Sequence, residues 1–144
     1  MRFLGHPVHP MLVHFPVACW TLGTLCDGLA LAGFERVWPE AALFLMIGLT
    51  TAVPAAVAGF IDFIALPEKL VSAGTIHMVL MGTSWCLYLM AMLWRSSGWA
   101  LVPKPEWAAV TLSFIGFLLM AAGGYYGGQL VYRFGAGVNE SRRS

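Results

Sequence analysis

An all-α integral membrane protein, an up-down four-helix bundle, is the fold class this sequence predicts, and three observations carry the prediction. The 144 residues are 59% hydrophobic and 10% charged, with a mean hydropathy of +0.76, too apolar for an ordinary soluble domain. The apolar residues fall into four runs, each near the ~20 residues that cross a ~30 Å hydrocarbon core. The links between runs are short, which makes successive runs antiparallel neighbours in a single domain covering 1–144.

The chain opens on Gly5-His6-Pro7-Val8-His9-Pro10-Met11-Leu12-Val13-His14-Phe15-Pro16, which holds every histidine but His77. A residue before proline is pushed out of the helical region and proline fixes its own φ, so 5–10 is expected to be extended. A polyproline-type segment repeats every three residues, so His6 and His9 would face the same way ~9 Å apart. Helix is expected from Pro10 or Val13, because proline is tolerated in a first turn, and His14 then falls in the opening turns. Arg2 before an apolar run resembles a signal peptide, but the run carries His14 and prolines with no small-x-small pattern after it, so it is read as a retained span.

The four spans are expected at about 11–32, 39–66, 70–94 and 107–132. Pro54 removes one backbone hydrogen bond in the second and should kink it, with Thr50 or Thr51 able to re-satisfy a freed carbonyl. The fourth ends in two overlapping Gly-x-x-x-Gly pairs, Gly123 with Gly127 and Gly124 with Gly128, which admit a close backbone or a flat ligand. Gly135 and Gly137 loosen the exit, and Asn139 to Ser144 reads as a mobile tail.

Four crossings put the N-terminus, the 67–69 link and the tail on one face, the histidine face. Trp38, Trp94, Trp99 and Trp107 are expected as the aromatic belt of the opposite face, with Tyr125, Tyr126 and Tyr132 serving the histidine face. Arg2, Lys69, Arg133, Arg142 and Arg143, against Arg36, Arg95 and Lys104, place the histidine face in the cytoplasm of a bacterial inner membrane.

Polar residues inside the spans define the candidate site. From the helical rise His14 and Asp62 lie ~6 Å and His77 ~10 Å below the histidine face, so three helices place an ionisable group in one layer. Such groups are costly in lipid, about 2.5 to 3.5 kcal/mol on insertion scales, and usually face the bundle interior with a partner. Helical spacing supports this orientation, with inward stripes expected at Gly48, Thr51, Ala55, Ala58, Asp62; at Gly74, His77, Met81, Ser84, Tyr88; and at His14, Ala18, Thr21, Gly28. His77 is the nearest candidate partner of Asp62 by depth. Asp27 lies ~20 Å from His14 along the axis and is expected only to approach Arg36.

Several classes are excluded or disfavoured. A net charge of +1 with no basic run gives no reason to expect nucleic acid. Cys19, Cys26 and Cys86 fall inside apolar runs without a Cys-x-x-Cys-His motif and read as packing residues. No Gly-x-Ser-x-Gly elbow, His-Glu-x-x-His motif or Walker loop is present, so catalysis is not expected.

The two ends of the chain, together with Gly59-Phe60-Ile61-Asp62, His77, and Gly127-Gly128-Gln129-Leu130-Val131-Tyr132 with Gly135-Ala136-Gly137-Val138, resemble a bacterial membrane-protein family catalogued as a domain of unknown function. The resemblance covers the whole chain and implies a four-helix membrane fold without an assigned activity.

Three readings of the histidine layer compete. In the first, two histidines on facing helices ligate a b haem axially, His77 with His14 preferred over His9, while His6, His9 and Asp62 support the site. The protein would then be a redox or electron-transfer subunit exchanging electrons at one face with a quinone or redox partner. In the second, His6, His9, His14 or His77, with Asp62 or Met11, holds copper, zinc or iron. In the third, these groups bond one another in a structural or accessory subunit, in a homo-oligomer or larger membrane complex within the lipid bilayer.

Overall fold

The computed structural model describes residues 2–3, 6–97 and 100–136, with the side chains of residues 2, 3, 6 and 7 outside that description. Gly5, Trp99, Gly137, Val138 and the Asn139–Ser144 tail lie outside the described residues. Four helices are long and apolar enough to cross a membrane, and they form an integral membrane up-down bundle.

A short antiparallel pair, β1 (Arg2–Phe3) and β2 (His6–Pro7), leads into α1 (Val8–Leu12) and α2 (His14–Leu31). α3 (Trp38–Ile64) follows a 3-10 turn at Glu35–Val37. α4 (Glu68–Trp94), a second strand pair β3 (Ser96–Ser97) and β4 (Ala100–Leu101), and α5 (Trp107–Gly128) complete the chain, with a π-helical turn at Gln129–Arg133. α2 packs mainly on α3 and α4 on α5, while α2 also meets α5 and α3 meets α4.

Helix begins earlier than the His-Pro steps suggest. His9 and Pro10 lie in α1, where the missing proline N–H falls among donors that a first turn leaves unpaired. The penalty on the residue before proline is offset by a hydrogen bond from the His9 side chain to α3. α3 runs through Pro54 without interruption. The hydroxyls of Thr50 and Thr51 donate to carbonyls one turn back, at Met46, Ile47 and Gly48, and do not serve the carbonyl that Pro54 leaves unbonded.

The inward stripes of the second and third spans are as the spacing implies: Gly48, Ala55 and Ala58, and Gly74, Ser84 and Tyr88, are buried. The first span differs. His14, Ala18, Thr21 and Gly28 are exposed, and Pro16, Trp20, Gly23, Thr24, Asp27 and Ala30 face inward. The small residue of this contact is on the other helix: Trp20 lies against Gly48, where a Cβ would stand 2.4 Å from the indole Cδ1. Trp38 is likewise no belt residue. It is buried and donates from Nε1 to the Val102 carbonyl at 3.0 Å, whereas Trp94 and Trp107 are exposed as a belt requires.

Four crossings place the α2–α3 and α4–α5 links on one side and the α3–α4 link on the other. Single cysteines replacing Glu35 and Glu68, both exposed, in a chain with Cys19, Cys26 and Cys86 changed to alanine, should react with an impermeant maleimide from opposite sides. Reaction of both from one side would refute the four crossings.

Candidate functional site

Two histidines meet inside the bundle, and they are His9 and His77. α1 brings His9 against α3, where its Nδ1–H donates to the Ala55 carbonyl at 2.7 Å. α4 brings His77 against α5, where its Nδ1–H donates to the Gly123 carbonyl at 2.8 Å. Each ring also rests on a glycine one turn further along the accepting helix. A Cβ at Gly59 would stand 2.8 Å from the His9 ring, and one at Gly127 would stand 2.9 Å from His77 Cε1. The two half-buried rings lie perpendicular, their centroids 6.3 Å apart at an interplanar angle of 85°.

The carbonyl bonds decide the chemistry of the pair. A carbonyl only accepts, so Nδ1 carries a proton in both rings, and a neutral imidazole bonded in this way presents Nε2 as its lone-pair nitrogen. This carbonyl-oriented state is the one in which histidine ligates metals. Among the described residues neither Nε2 makes a hydrogen bond.

The other expected site residues are placed differently. His14, the expected partner of His77, is exposed, with Nδ1 3.4 Å from the Met11 carbonyl of its own chain segment. The Val13 N–H donates to the His9 carbonyl and the Val17 N–H to the Val13 carbonyl, so the helical path continues through Val13, and the five-residue step from His9 to His14 puts them on different faces, His9 inward and His14 outward. The His6 side chain lies outside the described residues. Asp62 is half-buried and engaged in a polar interaction of its own. The glycine pairs divide: Gly123 and Gly127 admit Met81 and His77 of α4, whereas a Cβ at Gly124 would meet nothing within 4 Å.

Deeper in the bundle, Trp20 stacks on Tyr88 with centroids 4.8 Å apart and planes 17° from parallel. The Tyr88 and Thr24 hydroxyls share a hydrogen bond of 3.0 Å. Trp20 Nε1 is buried without a hydrogen-bond partner among the described residues.

Toward the opposite face lies an ion pair that sequence reasoning missed. Arg95 grips Asp27 through both guanidinium nitrogens, Nη1 to Oδ1 at 2.9 Å and Nη2 to Oδ2 at 2.8 Å, and neither side chain is solvent-accessible. Ser113 lies 3.3 Å from Nη2, Nε donates to the Ala91 carbonyl at 3.2 Å, and the guanidinium sits 4.4 Å from the centre of the Trp38 ring. Asp27 therefore pairs with Arg95 and not with Arg36. A signal existed: two opposite charges near the same end of two parallel spans, each too costly in lipid to be left alone.

Among the described residues no group of three or more His, Cys, Asp or Glu side chains is arranged to hold a metal ion by itself. A family model described as "Predicted membrane protein (DUF2231)" matches residues 5–140. No curated protein and no solved structure matches the chain.

Proposed function

The chain belongs to this DUF2231 family of predicted membrane proteins, and for it we propose a b-type haem centre held by His9 and His77, which makes the protein a one-electron carrier at one membrane face. The observation that carries the reading is the histidine pair itself, with both Nδ1 protons committed to carbonyls and the rings 6.3 Å apart. His9 and His77, each ring held by its own carbonyl bond, would supply one imidazole each to such a group. A pair of ligands is too few for a tetrahedral zinc or copper site made by protein alone, but it is complete for haem iron, where the porphyrin supplies the four remaining nitrogens. His14, exposed on the outer face, does not ligate in this reading.

The haem would supply one-electron chemistry; His9 and His77 hold and orient it, and Gly59 and Gly127 let their rings approach the helix backbones. The centre lies near one surface, so its electrons go to a quinone or a redox protein on that side. Burial of Arg95 removes it from the charge balance of the loops, which by sequence leaves Arg2, Lys69, Arg133, Arg142 and Arg143 against Arg36 and Lys104; this favours the histidine face as the cytoplasmic one.

Protein purified in mild detergent from haem-replete cells should show a Soret band and, on dithionite reduction, the α band of a six-coordinate b haem. His77→Ala and His9→Ala should each abolish the reduced six-coordinate spectrum, and His14→Ala should leave it intact. Loss on His14→Ala with retention on His9→Ala would overturn the ligand assignment. A second reading rests on the same bonds: each histidine ties two helices together, α1 to α3 and α4 to α5, as a structural subunit would use it. A colourless preparation free of iron, copper and zinc would select that reading.

A further inference from the structure

The contacts along the middle of the bundle share one spacing. Asp27 and Arg95 are 68 residues apart, and so are the facing rings His9 and His77 and the stacked rings Trp20 and Tyr88. The supporting residues keep the same offset. Gly48 accommodates Trp20 and Gly116 lies against Tyr88; Gly59 accommodates His9 and Gly127 accommodates His77. The bonds His9–Ala55 and His77–Gly123 both span 46 residues. Ala41 and Ala109, at the same offset, are both 0% exposed.

A two-fold axis has this consequence, because only residues close to the axis touch their own equivalents. α2 and α4 run in the same direction, being separated by one intervening span, so an axis relating them lies along the helices. The exchange maps the α2–α3 packing onto α4–α5, and the α2–α5 packing onto α3–α4, which are the helix pairs in contact.

We propose that the chain is a tandem duplication of one helical hairpin, and that its histidine centre lies on the two-fold axis between the copies, with His9 and His77 as one ligand from each copy and Gly59 and Gly127 as equivalent positioning residues. The duplication stands on the packing alone, and the ligand part rests on the haem reading. At the other end of the axis the copies have diverged. Two identical buried charges there would repel, and the aspartate of one copy facing the arginine of the other turns the same position into a bond that holds the copies together.

Two measurements on the full chain separate these parts. Spin labels in the cysteine-free protein at Leu22→Cys with Ala121→Cys, and at Met90→Cys with Val53→Cys, form symmetry-related pairs at exposed positions. Their mean distances by pulsed dipolar spectroscopy should coincide, and means separated by more than the widths of the distributions would overturn the duplication. Hemin titrated into apoprotein should bind more weakly by about 10- to 100-fold on Gly59→Ala and by the same factor on Gly127→Ala, as expected for groups that orient a ligand. Unequal losses would overturn the equivalence of the half-sites. Failure of the unmodified protein to bind hemin, with coincident spin-label distances, would remove the haem centre and uphold the duplication.

Discussion

Replacing Arg95 with leucine should cost about 3 to 5 kcal/mol of stability, the range for breaking a buried ion pair by removing one partner. The loss comes from what remains: the Asp27 carboxylate, 0% exposed, would stand in the bundle with no cation, and Ser113 and the Trp38 ring would lose the guanidinium they surround. Asp27→Leu should cost a similar amount for the converse reason. The double variant Asp27→Leu/Arg95→Met should be more stable than either single one, since an apolar pair of similar volume leaves no orphan charge. Arg95→Lys should not rescue, because an ammonium cannot make the two parallel bonds to Asp27. Unfolding in mixed micelles with a denaturing detergent measures these differences. Single-variant costs below about 1 kcal/mol, the range of exposed pairs, would contradict the burial of the pair.

Trp20→Ala should cost about 3 to 5 kcal/mol, as large aromatic truncations in a packed interior do. Trp20 is 1% exposed and is sandwiched between Tyr88 and the bare backbone at Gly48. The partner substitution identifies the contact. Gly48→Ala alone should cost about 1 to 3 kcal/mol by overpacking, since the new methyl would lie 2.4 Å from an indole that Tyr88 prevents from retreating. In the Trp20→Ala background the same methyl has room, so Gly48→Ala should become neutral or favourable and the cycle should show strong coupling. Gly28→Ala is the control, because a Cβ there meets nothing within 4 Å. Additive costs for Trp20→Ala and Gly48→Ala would mean that the indole does not lie on Gly48.

Much of the candidate site was within reach of spacing arguments, and the part that was not has one cause. His77 and the inward stripe Gly74, Ser84, Tyr88 follow from the 3.6-residue period of an uninterrupted helix. In the first span His9, Pro16, Trp20, Gly23, Asp27 and Ala30 share one inward face, and His14, five residues and about 140° on from His9, falls on another. Depth counted from Pro10 favours His14, but depth says nothing of the direction a residue faces, and the inward face of this helix carries His9.

Residence in a membrane, four crossings and the end of the bundle that carries the histidines are all legible in the chain without its fold. These depend on run length and composition, because lipid leaves every spanning segment the same solution, a helix that satisfies its own backbone. Tertiary structure alone decided which histidines face each other, that Asp27 finds Arg95, and that Trp20 turns inward against Gly48. Those pairings depend on the rotation of each helix about its own axis. That rotation is set by large side chains on one helix fitting bare backbone on another, a match between residues distant in the chain that no local pattern contains.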